Sequence, residues 1–205
     1  MSYALDHLAI ACTDLDAARE WLEFALGAPM QPRGVHAAMG THNHLISLGP
    51  DFYLELIAVD PDAPKPAHAR WFDLDNFEGM AKPASWIVRC PDMGAALDHC
   101  PQGTGLSMVL DRGAYHWAIT VPADGKLPYD GLFPAMIEWA SAPPAPALPD
   151  HQLRLKSIFL SHPRAEALKA ALAPFGDLGV PIHVARGANP SLGFEIDTPR
   201  GRRAF

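Results

Sequence analysis

Apolar and polar residues alternate with a period of two over residues 7–11, which predicts a β-strand near the start of the chain. The apolar residues between 15 and 26 then recur at the spacing of an amphipathic helix, and Gly27 is its expected C-terminal stop. Three more strand-like runs follow, at 35–40, 44–48 and 52–59. The first unit is therefore predicted to be a strand, a helix and three strands.

The same order of elements recurs further along the chain. A strand at 85–89 and a helix over 91–100 are followed by three more strand-like runs. After a Pro/Ala segment, a shorter set begins with a strand at 153–160 and a helix at 164–172. The predicted division is a first unit over 1–60, a connecting segment over 61–82, a second unit over 83–141, a stiff and extended linker over 142–150, and a partial third unit over 151–205.

This repetition of elements predicts an α+β fold. Strands that follow one another without a helix between them pair as antiparallel hairpins, so each βαβββ unit should form a curved, mostly antiparallel sheet with a helix on its convex face. Two such sheets can close around a shared cavity. The shorter third unit, of a βαβ type, is expected to pack on the same domain. Closure within one chain and closure across a homodimer both stay open at this point.

Composition and charge narrow the classes of partner. With 49% hydrophobic and 19% charged residues, the 205-residue chain can form a packed core. A formal net charge of -7 argues against nucleic acid and anionic membrane surfaces as partners. The sequence predicts neither a signal peptide nor a transmembrane span, and its three cysteines lack paired spacing. We therefore expect a cytoplasmic protein with reduced thiols whose partner is a small molecule.

Several segments resemble one known superfamily. The opening LDHLAIACTDLDAA is similar to the first strand and helix of glyoxalase and bleomycin-resistance proteins, and HAAMGTHNHLISLGPDFYLELIAVD is similar to a glyoxalase-like branch of that superfamily. GLFPAMIEWA and the TPRG turn resemble later parts of the same branch. The resemblance implies the vicinal-oxygen-chelate fold with a ligand-binding cavity. The residues that match the branch and are expected to bind the ligand are His36, Thr41, Asn43 and Tyr53; for Thr41 and Asn43, turn formation is the alternative.

The resemblance also implies a divalent metal, with ligands at His7 and Glu55 in the first unit and at Glu138 in the second, whereas Ser85 stands at the fourth position. Strand alternation agrees with this set, because it predicts all three side chains on faces turned toward the cavity. A carboxylate enclosed by apolar residues is costly unless it is paired, metal-bound or hydrated. One histidine and two carboxylates suit Zn, Mn, Fe or Ni. The alternative is a metal-free polar pocket that holds a His–Glu pair and water.

Three kinds of function follow from these expectations. The first is a metal-dependent lyase, isomerase or dioxygenase that acts on a small oxygen-rich metabolite, with Glu55 or Glu138 moving a proton. The second is a protein that binds or sequesters a small molecule without a metal. The third is a structural or partner-binding role, in which the third unit covers one edge of the sheet or forms a dimer. Trp71 and Phe72 lie in the connecting segment, where they are expected either to cover the cavity mouth or simply to pack beneath a long loop.

Overall fold

The computed structural model describes residues 2–205, and its larger sheet has eight strands. In chain order, the strands of this sheet are β1 (Ala4–Ala11), β2 (Gly34–His36), β3 (Thr41–Ser47), β4 (Tyr53–Val59), β5 (Lys82–Arg89), β6 (Leu106–Arg112), β7 (Tyr115–Val121) and β8 (Ala135–Trp139). Their order across the sheet is β2-β3-β4-β1-β5-β8-β7-β6. Each unit therefore contributes four adjacent strands, and the units join where β1 pairs antiparallel with β5. The predicted α+β class with two βαβββ units is confirmed.

The first helix, α1 (Leu15–Leu26), forms where the apolar spacing predicts it. Asp14 fixes its start, because the carboxylate accepts a hydrogen bond from the backbone N–H of Ala17 at 3.0 Å. Gly27 ends it with a φ of 71°, a left-handed conformation that glycine adopts at little cost. The residues that the helix buries share one face: Leu15, Ala18, Leu22 and Leu26. Burial of each leucine contributes about 1.5–3 kcal/mol of stability.

The second helix is shorter than predicted. It was expected over 91–100, but α2 spans only Met93–Leu97. Asp92 caps its start by accepting a hydrogen bond from the N–H of Ala95 at 2.8 Å. Beyond the helix the chain tightens into turns, in which the N–H of Cys100 donates to the carbonyl of Leu97 at 3.1 Å. The following proline, Pro101, cannot continue a helix, which explains the early end.

The third part of the chain forms a separate four-stranded sheet. Its elements are β9 (Arg154–Ser161), α3 (Ala165–Leu172), β10 (Ile182–Ala185), β11 (Ser191–Thr198) and β12 (Gly201–Ala204), and the order across the sheet is β10-β9-β11-β12. β9 and β10 run parallel and are joined through α3, as in a βαβ unit. This sheet contacts the first unit through the backbone, where the N–H of Leu155 in β9 donates to the carbonyl of Leu48 at 3.3 Å.

The larger sheet separates two apolar clusters. Because successive side chains of a strand point to opposite faces, β1 sends Leu8 and Ile10 to the helix side and Ala9 and Ala11 to the other side. The sheet also curves until its edges meet. Arg112 at the end of edge strand β6 contacts His36 on the opposite edge strand β2, with 3.2 Å between Arg112 Nη1 and His36 Nε2. The enclosed space between the two units is the cavity described below.

The connecting parts of the chain are ordered and partly helical. Short 3-10 helices span Trp71–Asn76, Ala145–Ala147 and Ala173–Phe175. The Pro/Ala linker is therefore not fully extended as predicted, and Ala145 is buried against Leu45 and Tyr53. Within residues 2–205, no helix combines the length and the apolar character that crossing a membrane would require.

Candidate functional site

A bulge in β1 directs two neighbouring side chains, Asp6 and His7, into one polar cluster. The pairing of β1 with β5 shifts register between Leu5 and His7, so Asp6 is an extra residue in this strand. Both side chains are buried, and His7 Nδ1 lies 2.7 Å from Asp6 Oδ1. The other carboxylate oxygen of Asp6 accepts a hydrogen bond from the indole N–H of Trp139 at 2.9 Å. The imidazole of His7 is thereby fixed in orientation.

Glu55 lies on the other side of His7. Its Oε2 is 3.6 Å from His7 Nε2, which is longer than a hydrogen bond and describes a close ion pair. Its Oε1 accepts a hydrogen bond from the side-chain amide of Asn43 at 2.6 Å. The ring of Tyr53 stacks on His7, with 4.5 Å between ring centroids and 14° between planes. The imidazole is therefore held between two carboxylates and against an aromatic face.

The charges in this cluster stabilise one another. Burial alone would lower the pKa of His7, but the interactions with Asp6 and Glu55 outweigh it and raise the pKa to about 9. Burial alone would raise the pKa of Glu55, but His7, His36 and the amide of Asn43 lower it to about 2. At neutral pH, His7 is therefore a cation that faces the anionic carboxylate of Glu55.

His36 and Arg112 form the far end of the same cluster. His36 Nδ1 lies 3.1 Å from the hydroxyl oxygen of Thr41, while its Nε2 lies 3.2 Å from Arg112 Nη1. Arg112 Nη1 also donates to Asn43 Oδ1 at 3.1 Å. Burial lowers the pKa of His36 to about 4, and the positive charge of Arg112 acts in the same direction. His36 is therefore neutral, and the hydrogen-bond network assigns its proton to Nδ1, facing Thr41.

The polar cluster forms one wall of a narrow cavity of about 30 Å³ that opens partly to solvent. The remaining walls are apolar and mostly aromatic. They come from the connecting segment, the second unit and the Pro/Ala linker, and include Trp71, Phe72, Trp117, Trp139 and Pro144. Ligand sites in proteins share this combination of apolar walls with a few convergent polar groups.

The connecting segment holds its two aromatic residues rigidly in the cavity wall. Phe72 and Asp73 adopt φ values of 58° and 55°, a left-handed conformation that costs about 1–3 kcal/mol for a residue other than glycine. The backbone N–H of Asp73 donates to the carbonyl of Gly125 at 2.9 Å. Arg70, which is buried, pairs with Asp75 at 2.6 Å. These contacts anchor the segment on both sides of Trp71 and Phe72, so both side chains are part of the cavity.

The predicted placement of Glu138 in the cavity is wrong. In β8 the helix-side cluster receives Met136, whereas Ile137 belongs to the cavity side. Glu138 therefore points to the helix side, where Oε2 accepts a hydrogen bond from the backbone N–H of Met93 at 2.8 Å. Alternation predicts that Met136 and Glu138 share a face of β8. Because apolar residues occur on both faces of this strand, the pattern does not indicate whether the shared face is the helix side or the cavity side. The register with β5 decides it, and a shift of one residue reverses every side chain.

The donors in the cavity do not fit a divalent metal. A catalytic zinc needs three protein ligands, and the three groups that approach one another here are His7 Nε2, His36 Nε2 and the Glu55 carboxylate, at 3.6 and 4.0 Å from the carboxylate oxygens. The Nε2 of His36 already accepts from Arg112, whose positive charge opposes a cation at this place. Among residues 2–205, no group of three or more His, Cys, Asp or Glu side chains is arranged to hold a metal ion. The expected Zn, Mn, Fe or Ni site is therefore not assembled from His7, Glu55 and Glu138.

Six of the side chains predicted from the sequence do converge: His7, His36, Thr41, Asn43, Tyr53 and Glu55. Thr41 contacts His36 but does not line the cavity. The sequence reasoning missed Asp6 and Arg112. The period-two pattern of β6 could have found Arg112, since Met108 and Leu110 pack on the cavity side of that strand. Simple alternation could not find Asp6, because the bulge breaks it.

Comparison with known proteins places the chain by sequence and by fold. A family model described as a glyoxalase-like domain matches residues 5–176. A structure of a hypothetical protein from Staphylococcus aureus superposes with a TM-score of 0.61 at 14% identity, covering 100% of this chain and 85% of that chain. This likeness shows the fold alone. None of the curated proteins compared with this chain matches it.

Two weaker structural matches are methylmalonyl-CoA epimerases. One, in complex with methylmalonyl-CoA and NH4+, is 20% identical with a TM-score of 0.48 and covers 68% of this chain and 96% of that chain. The enzyme from Mycobacterium tuberculosis is 23% identical with a TM-score of 0.44 and covers 70% of this chain and 91% of that chain.

Proposed function

This chain belongs to the glyoxalase-like domain family of the vicinal-oxygen-chelate superfamily, and we propose that its cavity binds a small oxygen-rich molecule and transfers a proton on it without a divalent metal. One observation carries the proposal. His7 lies enclosed between two carboxylates, 2.7 Å from Asp6 Oδ1 at its Nδ1 and 3.6 Å from Glu55 Oε2 at its Nε2. A histidine oriented by a carboxylate at one nitrogen presents the other in a defined direction, as general acid–base catalysis requires.

Proton transfer beside a carbonyl group is the chemistry that these residues support best. The imidazolium of His7 donates a hydrogen bond to the carbonyl oxygen and stabilises the negative charge that develops there. The carboxylate of Glu55 accepts a proton from the adjacent carbon. The electron pair of the C–H bond forms a carbon–carbon double bond, and the carbonyl π pair moves onto oxygen. Return of the proton to carbon completes an exchange or an isomerisation, with no other reactant.

Substrate entry also makes Glu55 a stronger base. While His7 faces Glu55, the pKa of the carboxyl is held at about 2, which is too low for an effective base at neutral pH. A carbonyl oxygen that takes the hydrogen bond of His7 weakens one main cause of that low pKa. Burial, which acts to raise the pKa, then counts for more. The base is thus activated only when a substrate lies in the cavity.

Hydrogen–deuterium exchange tests this proposal without knowledge of the natural substrate. Small 2-oxo acids, hydroxyketones and 1,3-dicarbonyl compounds are incubated with the protein in heavy water, and loss of the carbon-bound proton signal is followed by NMR. We expect exchange above the buffer rate for at least one compound. Glu55→Gln should slow it by at least about 100-fold, the usual contribution of a general base. Glu138→Gln is the matched control, because that carboxylate lies on the opposite face of the sheet.

Two results would contradict the proton-transfer proposal. One is the absence of exchange for every compound in the panel. The other is exchange that persists unchanged in Glu55→Gln, which would assign the base to another group. His7→Gln should also lose exchange, because a neutral amide stabilises the developing oxyanion less than an imidazolium does.

The metal-free part of the proposal has a separate test. Metal content of the untagged protein is measured by mass spectrometry before and after incubation with Zn, Mn, Fe and Ni, with His7→Ala alongside. We expect content well below one ion per chain and exchange activity that survives a chelator. Near-stoichiometric metal that disappears in His7→Ala would refute this part and restore the metal-dependent enzyme predicted from the sequence.

A second candidate is a protein that binds or sequesters a small molecule without chemistry. The aromatic walls from Trp71, Trp117 and Trp139 favour it, since they supply contact area for a planar ligand. Compounds that raise the melting temperature but show no exchange would support this candidate over the enzyme. The homodimer considered from the sequence stays a prediction, which light scattering on the purified protein can check.

A further inference from the structure

Arg112 brings into the cavity a positive charge that no carboxylate within residues 2–205 approaches to 4.0 Å or less. Both of its hydrogen bonds run from Nη1 to neutral acceptors, Asn43 Oδ1 at 3.1 Å and His36 Nε2 at 3.2 Å. Within the described residues it forms no salt bridge at 4.0 Å or less, while the nearby Glu55 instead accepts from Asn43. A guanidinium has five N–H donors in a planar fork, so several remain for another acceptor.

Arg70, a buried arginine of the connecting segment, shows the usual arrangement. Arg70 is buried and pairs with Asp75 at 2.6 Å, and its Nε donates to the backbone carbonyl of Met39 at 3.0 Å. Charged groups inside proteins are paired in this way because an uncompensated charge is expensive to desolvate. Arg112, which is partly buried and lines the cavity, lacks such a partner.

A second donor in the cavity wall also lacks a partner. Trp71 is only 3% exposed, and its indole Nε1–H is buried without a hydrogen-bond acceptor among the described residues. Leaving a buried donor unsatisfied costs about 1–3 kcal/mol. Trp71 packs edge-to-face on His36, with 5.1 Å between ring centroids, and His36 contacts Arg112. Trp71 and Arg112, which carry the two sets of free donors, thus both contact His36.

The position of Arg112 depends on a glycine in the facing edge strand. A Cβ at Gly34 would lie 2.5 Å from Arg112 Nη1 and 2.5 Å from Asn43 Oδ1, so these side-chain ends would have to shift from their observed positions. The backbone of β2 therefore leaves room for the guanidinium to reach across from β6. This close approach at the seam of the curved sheet makes Arg112 a built part of the site.

We infer that the cavity takes a small planar carboxylic acid, whose carboxylate binds Arg112 and accepts from the indole N–H of Trp71. The apolar part of the ligand then lies among the aromatic side chains of Trp117, Trp139 and Phe72. A carboxylate matches the planar fork of a guanidinium and supplies the acceptor that both donors lack. This inference rests on the proposed function, because it concerns the same cavity, and it specifies the chemical class of the ligand.

Benzoate and its neutral isostere benzamide are the probes for this inference. Binding is measured by calorimetry and by the side-chain N–H signals of tryptophan in ¹⁵N NMR spectra, with the Trp71 signal assigned from Trp71→Phe. We expect benzoate to bind at least about 10-fold more tightly than benzamide and to move the Trp71 signal. Arg112→Gln should weaken benzoate binding by at least about 10-fold, and Arg112→Lys by less, because it keeps the charge and loses the fork. The exposed Arg186→Gln is the matched control and should bind as the wild type does.

Three outcomes would overturn the inference: equal binding of benzoate and benzamide, no benzoate binding at millimolar concentration, or full affinity in Arg112→Gln. If Arg112→Gln does not fold, the Trp71 signal of the wild type decides, since it should move with benzoate and stay with benzamide. Glu55→Gln separates this inference from the proposed proton transfer. It should lose exchange while keeping benzoate binding, so failure of one leaves the other standing.

Discussion

Replacing His7 by glutamine should remove a pH dependence of stability that the wild type shows between neutral and alkaline pH. The pKa of His7 is raised from 6.5 to about 9 in the folded protein by Asp6 and Glu55, against the effect of burial. A tenfold change in proton affinity corresponds to about 1.4 kcal/mol, so this difference corresponds to about 3 kcal/mol. Because the folded-state pKa is raised, the stabilisation is complete below pH 6.5 and is lost as the pH rises through about 9.

Urea unfolding across this window measures the effect. Between pH 6.5 and somewhat above 9, the free energy of unfolding of the wild type should fall by about 3 kcal/mol more than that of His7→Gln. His7→Gln should also be less stable at the lower pH, since it leaves the buried Glu55 carboxylate without the cation that faces it. His99→Gln is the matched control, because His99 is exposed and the variant should keep the wild-type slope.

The cysteines set the upper limit of the measurement. Burial raises the pKa of Cys12 and Cys90 to about 12, so above pH 9 they ionise in the unfolded chain but not in the folded protein. This lowers stability at high pH in every variant alike and cancels in the comparison. A wild type without the slope, or a His7→Gln variant that keeps it, would refute the charged arrangement of Asp6, His7 and Glu55.

Four further predictions concern single side chains. Glu55→Gln should remove the loss of stability that we expect of the wild type as the pH falls from 4.5 toward 2. A carboxyl whose pKa is lowered on folding stabilises the folded protein fully above 4.5, and this stabilisation is lost as the pH falls through the folded-state pKa. Acid unfolding followed by circular dichroism measures the difference between the two proteins. Glu138→Ala should cost about 1 kcal/mol in urea unfolding through the lost cap of α2, yet leave proton exchange unchanged. Gly125→Ala should cost more than about 1 kcal/mol, because its Cβ would lie 2.3 Å from a carbonyl oxygen of the connecting segment, whereas Gly113→Ala, at a φ of 61° with nothing within 4 Å, should cost less. Gly34→Ala should displace the guanidinium in the cavity. The loss of benzoate affinity in calorimetry should then be larger than the drop in the melting temperature of the protein would suggest.

The elements that the sequence predicted well are those with a strong local signal. Helix α1 was predicted between residues 15 and 26 and spans Leu15–Leu26, and strand β9 was predicted at 153–160 and spans Arg154–Ser161. The repeated order of strand, helix and three strands led to the correct fold class. The length of helix α2 was overestimated, because the sequence of its five residues and of the turn that follows resembles one longer helix.

The candidate site was predicted in its first-unit half and missed in its second-unit half. His7 and Glu55 lie on strands where helix-side residues are clearly apolar, so alternation could assign the opposite face to both. Glu138 lies on a strand with apolar residues on both faces, and there the pattern gave no direction. Asp6 depended on a bulge, which inserts a residue without any mark in a single sequence.

The sequence by itself determined the elements, the class of fold and the superfamily, because periodicity and local motifs are properties of neighbouring residues. The tertiary structure alone decided which side chains share the cavity. Arg112 meets His36 and Asn43 only because the sheet curves until β6 faces β2, and no local signal joins residues that are so far apart in the chain. Glu138 is not part of the predicted site, because the register between β5 and β8 places its side chain on the other face of the sheet. Strand pairing and sheet curvature depend on contacts between strands that are distant in the chain. They therefore decide which side chains meet in the cavity, whereas the local pattern decides only which strands form its walls.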